Sequence, residues 1–193
     1  MKRIIASIAL AAVLVMPLRA QTRPSNEFSL SYGVVSTLDI EMVLGSALVV
    51  VATGGTWNVK DMSSTGALSA QFYHNFNDRT AVGAVFSFED FSGDAYSKEE
   101  YIGKFGAVSF GVMPAFRYTW LYKDHIGFYS RIAAGVNAMA EPEQEISTKD
   151  LSAQFAFQAT LLGFEFGARN VRGFLEGGLG IQGLVLGGIK FAF

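Results

Sequence analysis

The sequence predicts an all-β fold, an eight-stranded antiparallel up-and-down barrel with a short helix in its first long connection. Three observations predict it. Apolar residues recur at every second position over long segments, long and short connections alternate, and the 193 residues are half apolar yet contain 21 glycines and only 17% charged residues. The length suits one domain. The absence of cysteine excludes a disulfide scaffold, a thiolate zinc site and a cysteine nucleophile.

The first twenty residues have the organisation of a secretory signal peptide. Residues 2 and 3 are basic, residues 4–16 are apolar, and Ala20 supplies the small residue of a cleavage site. The apolar run is shorter than the roughly 20 residues of a spanning helix, so we expect cleavage after Ala20 rather than a membrane anchor. The remaining chain has 12 basic and 17 acidic residues, a net charge of −5. Residues 21–26 then form a short N-terminal segment and residues 27–193 the barrel.

The period of two is clearest between residues 107 and 120. Every second residue there is large and mostly apolar: Val108, Phe110, Val112, Pro114, Phe116, Tyr118 and Trp120. The intervening residues are mostly small or polar, which is the pattern of a strand with two different faces. Similar patterns predict eight strands, near residues 27–35, 65–76, 80–90, 105–120, 126–138, 151–167, 173–182 and 184–193.

The connections between these segments alternate in length. Residues 77–79, 121–125 and 168–172 are short connections, and residues 36–64, 91–104 and 139–150 are long ones. An even number of long strands with long and short connections at opposite ends is typical of a transmembrane β-barrel of the outer membrane. A soluble barrel such as a lipocalin is the alternative, with its apolar face inside. Because the small-residue face lacks the charges of a water-facing surface, we predict that it fills the interior and that the large apolar face contacts lipid.

The C-terminal residues carry a family resemblance. Gly188, Phe191 and Phe193 resemble the terminal signal of outer-membrane barrels that the barrel-insertion machinery reads, although Gly187 stands where that signal usually has a polar residue. With the alternating strands, residues 27–193 resemble small outer-membrane proteins of Gram-negative bacteria, the OmpX and opacity-protein group and the barrel half of OmpA. The resemblance implies an outer-membrane location, with lipid, periplasmic chaperones and the insertion machinery as partners.

Five charged residues fall inside the predicted strands and form a candidate interior polar cluster: Arg117, Arg131, Glu165, Glu176 and Lys190. Strand parity points four of them inward, and Glu165 joins them through a bulge near residues 162–163. A hairpin centred on Gly183 would place Glu176 opposite Lys190. Isolated buried charges are costly, so we expect ion pairs. A salt-bridged, closed interior is favoured over a narrow ion-selective pore, because eight strands leave room only for side chains.

Aromatic residues gather near the short-connection end. Phe116, Tyr118, Trp120 and Phe128, together with Phe191 and Phe193, predict an aromatic girdle at a membrane interface rather than a sugar- or base-stacking site.

The long connections are acidic. Residues 36–64, 89–104 and 139–150 carry net charges of −2, −3 and −3. Such a surface could bind a divalent cation or a basic partner, but we favour a solvated, repulsive surface. The spacing of Glu141, Glu143 and Glu145 lacks a glycine turn and other fixed ligands, so we predict no metal and no cofactor.

The first long connection contains a predicted helix. Ser36 and Asp39 form a capping box, an apolar run follows, and glycines at 54 and 55 end it, so we expect a helix over 38–52. The β-branched residues 49–51 keep an extended strand as the competing interpretation. A helix this apolar and too short to span is expected to lie on the membrane surface or to cap the barrel.

The sequence does not predict an enzyme. After cleavage the chain has two histidines, His74 and His125, both near the short-connection end, and no Gly-x-Ser-x-Gly motif. The net charge argues against nucleic-acid binding. We predict a structural barrel that serves membrane integrity. The alternatives are a surface binding protein or adhesin that acts through its acidic loops and apolar helix, and a narrow pore. The sequence identifies no surface ligand.

Overall fold

The computed structural model describes residues 23–141 and 150–193, so the predicted leader and residues 142–149 lie outside it. The described elements are β1 (Asn26–Val34), α1 (Thr37–Ala52), β2 (Trp57–Ser64), β3 (Ala67–Asn75), β4 (Thr80–Ser97), β5 (Glu100–Tyr122), β6 (Ile126–Glu141), β7 (Asp150–Gly167), β8 (Val171–Gly180) and β9 (Val185–Ala192). All strands except β2 form a closed, antiparallel, eight-stranded barrel, which confirms the predicted fold class.

Two strand pairs close the barrel, and one of them joins the two ends of the barrel segment. The first and last strands pair, with Phe28 opposite Phe191, and the backbone groups of Asn26 and Phe193 exchange two hydrogen bonds of 2.9 Å. Strands β4 and β5 pair as neighbours in the chain and complete the circle. We call the end that contains the short connections, the start of β1 and the end of β9 the turn end, and the opposite end the loop end.

The connection between β4 and β5 differs from the prediction. Residues 91–104 were expected to form a long loop, but the two strands continue through them as a hairpin that projects from the loop end. Their pairing runs to Ser97 opposite Glu100, and Lys98 and Glu99 make the turn with positive φ angles of 49° and 67°. Two residues with positive φ are typical of a tight hairpin turn. Charged residues on the outer face of the hairpin hid the alternation in the sequence.

The first long connection contains both the predicted helix and an unpredicted strand. Helix α1 begins with the capping box: Ser36 Oγ accepts a hydrogen bond of 3.0 Å from the Asp39 amide, and Asp39 accepts one of 2.8 Å from the Ser36 amide. Strand β2 then pairs with the projecting half of β4, where Trp57 lies opposite Ser97. The helix therefore starts at the barrel rim and ends near the tip of the hairpin.

The distribution of polar and apolar residues is the inverse of that in a soluble barrel, whose apolar face points inward. Along each strand, inward residues are buried and are mostly small, polar or charged, whereas the outward residues are large and apolar.

In β7 one residue interrupts this alternation. The register with both neighbouring strands shifts at Leu161, which is 78% exposed, so that Glu165 turns inward. The expected bulge is present, one residue before its predicted position.

Candidate functional site

The candidate site is the charged interior of the barrel. All five residues of the sequence-predicted cluster have buried side chains that point inward, and none is more than 4% exposed. Those residues are Arg117, Arg131, Glu165, Glu176 and Lys190. They do not form one continuous cluster. Arg131 and Glu176 pair near the middle of the barrel, and Arg117, Glu165 and Lys190 belong to a network nearer the turn end.

Three further charged residues, not singled out from the sequence, complete the interior network. Glu27 shares the inward parity of Ser29 and Ser31, which was a signal available in the sequence. Arg172 was assigned to a turn, but β8 begins at residue 171 and Arg172 points into the barrel. Arg23 precedes the first strand, so no alternating pattern could place it, yet its side chain is buried at the turn end.

The Glu27 carboxylate is shared by several cations. It accepts hydrogen bonds of 2.6 Å from Arg23 Nε and from Arg117 Nη2, and one of 3.0 Å from Asn75 Nδ2. Lys190 Nζ lies 3.6 Å away. Donors from four different parts of the chain therefore converge on one carboxylate, which reaches the interior from the second residue of β1.

The Glu165 carboxylate is the second shared acceptor. It forms an ion pair with Lys190, accepts a hydrogen bond of 3.3 Å from Arg172 Nη1, and lies 3.8 Å from Arg23 Nη2. Arg172 Nη2 also donates to the backbone carbonyls of Lys123 and Asp124, at 2.6 and 3.0 Å. The network thus connects the ends of three strands with the turn between β5 and β6.

Glu176 forms a separate group in the middle of the barrel. It pairs with Arg131 and accepts hydrogen bonds from Tyr129 Oη at 2.6 Å and Thr160 Oγ1 at 2.7 Å. Arg131 also donates to Gln182 at 2.6 Å. The ring of Tyr129 lies flat over Gly163, where any Cβ atom would overlap it. This close approach lets the tyrosine hydroxyl reach Glu176.

The strand register explains why the carboxylates are shared. Arg117 lies opposite Arg131 on neighbouring strands, and Arg172 lies opposite Lys190. Like charges directly opposite each other are destabilising, so each pair needs carboxylates from other strands.

The predicted pairing of Glu176 with Lys190 is wrong. Glu176 lies opposite Leu186, because the β8–β9 hairpin is centred two residues before Gly183.

A tyrosine ring stabilises part of the positive charge through cation–π contacts. The turn-end network and the Glu176 group together contain five cations and three carboxylates. Among the described residues a fourth buried carboxylate, Glu89, lies nearer the loop end, where it accepts a hydrogen bond from Ser64. The guanidinium groups of Arg23 and Arg172 lie 4.6 and 4.3 Å from the centre of the Tyr122 ring, in favourable cation–π range. Burial, followed by the charge of nearby Arg117, lowers the pKa of Arg23 to about 10, so it remains protonated at neutral pH.

The other sequence-predicted residues lie on the outer face or near the strand ends. Phe116 and Trp120 are exposed on the outside, and Tyr118 and Phe128 are half-buried there. Tyr118 and Trp120 pack edge to face with ring centres 4.7 Å apart. In the C-terminal motif, Gly188 lies against the backbone of β1, and Phe191 and Phe193 are exposed.

The residues considered for metal binding and for catalysis lie at different ends of the barrel or outside the described residues. Glu143 and Glu145 lie outside the described residues. Among the residues that the structure does describe, no group of three or more His, Asp or Glu side chains could hold a metal ion. His74 and His125 are exposed at the turn end, within hydrogen-bonding distance of Asn26 Oδ1 and the Gly167 carbonyl respectively.

Within residues 23–141 and 150–193, no helix is both long and apolar enough to cross a membrane. No protein-family model matches the chain. A search of curated proteins finds no match either.

Replacing Glu165 with glutamine should destabilise the barrel. Glu165→Gln leaves Lys190 and Arg172 buried with one carboxylate fewer, and breaking a buried pair by removing one partner costs about 3–5 kcal/mol. Lys190→Met should cost less, because Glu165 keeps Arg172. The double variant should be more stable than Glu165→Gln alone. Equilibrium unfolding in urea measures all three free energies.

Glu100→Gln makes the same chemical change at an exposed position in the hairpin and should leave the unfolding midpoint unchanged. If the losses of the two single variants simply add in the double variant, Glu165 and Lys190 are not energetically coupled.

Proposed function

We propose that this protein is an integral outer-membrane β-barrel of a Gram-negative bacterium, exported by its N-terminal leader, with a closed interior and a structural role in membrane integrity. The observation that carries the proposal is the inverted polarity of the barrel. No catalytic role is part of it, and the partners that it requires are membrane lipid and the machinery that exports and inserts the chain.

The outward residues form a continuous apolar band around the barrel. Its members include Phe28, Leu30, Phe72, Phe86, Phe110, Ile132, Phe155, Leu175 and Ile189, which are 37–74% exposed. The largest apolar patch of a soluble monomer is about 300–600 Å², and a band that encircles eight strands exceeds that. Hydrocarbon is the solvent that such a band suits, and a closed sheet satisfies the backbone polar groups that hydrocarbon cannot.

The aromatic residues at the turn end support the same proposal. Phe116, Tyr118, Trp120 and Phe128 lie where the apolar band ends. Trp120 Nε1 donates a hydrogen bond of 2.9 Å to Ser130 Oγ, so its polar atom is satisfied on the outer face. Girdles of aromatic residues that flank an apolar band are typical of transmembrane β-barrels.

The purified chain should need detergent or lipid to remain in solution once folded. Unboiled samples should migrate differently from boiled samples in an electrophoresis gel, because a closed barrel in a membrane mimic resists unfolding by the gel detergent. Protein that stays soluble without detergent and migrates identically in both states would overturn the proposal.

Buried side chains fill the barrel interior. The charged network fills the turn end. A buried apolar cluster that includes Val85, Met113 and Ile181 extends to Phe91 and to Leu38 of α1 at the loop end. Since eight strands enclose room only for side chains, this arrangement favours a closed barrel over the narrow pore.

Planar-bilayer recordings distinguish these two states. The protein should give no conductance steps, and Glu176→Gln should give none either, because the buried apolar cluster and the other interior ion pairs remain in place. Steps in the unmodified protein would establish the narrow pore, and steps that appear only in Glu176→Gln would show that the central ion pair acts as a gate.

A surface-binding role is the second candidate, and the exposed half of α1 favours it. Val43, Leu44, Leu48 and Val51 are 54–79% exposed on this helix. The helix packs against β2, beside the projecting hairpin, and so leads away from the apolar band of the barrel. Exposure of these large apolar side chains to water is unfavourable, and a second surface that covered them would remove this cost.

Replacing Leu44 and Leu48 with glutamine tests this role in cells that display the protein. Retention of such cells on alkyl-coated glass should fall severalfold for the double variant. Ala47→Gln introduces the same side chain at an exposed position of the same helix and should not lower it. Equal retention of all three proteins, with equal surface levels, would leave the structural role as the function.

A further inference from the structure

A cavity of about 240 Å³ lies at the loop end of the barrel interior, beneath the first two turns of α1. Its lining comes from four elements and is mostly apolar. The side chains that matter here are Leu38 and Met42 of α1, Phe91 of β4, Phe105 and Ala107 of β5, and Met139 of β6. The interior charged network lies at the other end of the barrel, so this cavity is a separate feature.

The size and lining of the cavity suit a short alkyl chain or a small ring. A cavity of about 150 Å³ lined by apolar side chains is large enough to bind benzene, so this one has room for roughly ten non-hydrogen atoms. Met42 and Met139 have flexible, polarisable side chains that can adapt to different ligand shapes. Phe91 is 1% exposed and forms a fixed wall.

The charge around the cavity is negative. Glu41 is the one charged residue among those that line it, and its side chain is exposed, so the carboxylate lies where the cavity meets solvent. Residues 36–64 and 89–104, which surround this end of the barrel, contain eight acidic residues and three lysines. Such a surface attracts cations and repels anions. The aromatic walls also favour a cationic group over an anionic one.

We propose that this cavity binds an amphipathic monovalent cation, an alkylammonium compound. Its alkyl chain occupies the space between Met42, Phe91 and Met139, and its ammonium group lies beside Glu41. The inference goes beyond the proposed structural role, and it does not depend on the location of the barrel, because the cavity and its charge belong to the folded chain itself.

Hexyltrimethylammonium is a suitable probe, because its ten non-hydrogen atoms match the cavity and it dissolves as a monomer. The protein is labelled with ¹³C at its methionine methyl groups and studied in uncharged maltoside micelles, or in buffer if it proves soluble without detergent. Titration should shift the signals of Met42 and Met139. Met113, which is buried in the barrel core and does not line the cavity, should not move and serves as the internal reference.

Two comparison ligands separate the contributions of charge and chain. Hexanesulfonate has the same chain with a negative charge, and tetramethylammonium has the cationic group alone. Both should bind more weakly than the probe. If hexanesulfonate binds as tightly as hexyltrimethylammonium, or if the Met113 signal shifts as much as those of Met42 and Met139, the proposal is wrong.

Two substitutions test the assigned residues. Glu41→Gln should weaken binding of the cation about two- to fivefold, the range of an exposed ion pair, and Glu100→Gln should leave it unchanged. Ala107→Phe should fill the cavity and abolish the shifts of Met42 and Met139. Because Glu41 is exposed, its variant tests the proposal even if Ala107→Phe fails to fold. Unchanged affinity in Glu41→Gln would overturn the assigned role of that carboxylate.

Discussion

Closure of the sheet is the constraint on which the rest of this structure depends. Once β1 pairs with β9 and β4 with β5, the barrel has no free edge. The side chains of eight strands then have two environments, a narrow interior and an outer surface. The interior accepts glycine, alanine, serine and a limited number of long side chains, and the large apolar residues are left outside. The small size of most interior residues is a consequence of closing so few strands around so little space, whereas the inverted polarity is set by which residues the sequence places at alternate positions.

The same narrowness governs the interior charges. Side chains from opposite walls meet, so Glu27 on β1 can serve Arg117 on β5, and Glu165 on β7 can serve Lys190 on β9. Buried ion pairs are weak evidence for net stability, because desolvation offsets much of their attraction. We infer that these ion pairs act mainly on the choice of strand register. A change in register by one residue would turn one strand's charges outward and leave its partners buried without compensation.

The loop end differs from the barrel in organisation. The β4–β5 hairpin, β2 and α1 form an additional unit beyond the rim, and the first turns of the helix close the interior. This unit contains the exposed apolar residues of the helix, and the cavity lies between the helix and the barrel interior. A rigid barrel thus presents an apolar, acidic-rimmed surface, and any specific binding is expected there rather than in the charged interior.

Local periodicity determined much of this protein by itself. Alternation predicted the eight barrel strands, the capping box of Ser36 and Asp39 predicted the helix, and parity predicted that Arg117, Arg131, Glu176 and Lys190 point inward, because these features depend on neighbouring residues only. The tertiary structure decided the pairing. The partners of Lys190 follow from strand register and a hairpin centre that no short pattern specifies. The inclusion of Arg23, which lies outside any strand, follows from three-dimensional proximity at the turn end alone. The hairpin over residues 91–104 was missed because its outer face is solvated and charged, so its alternation lacks the apolar contrast that marks a barrel strand.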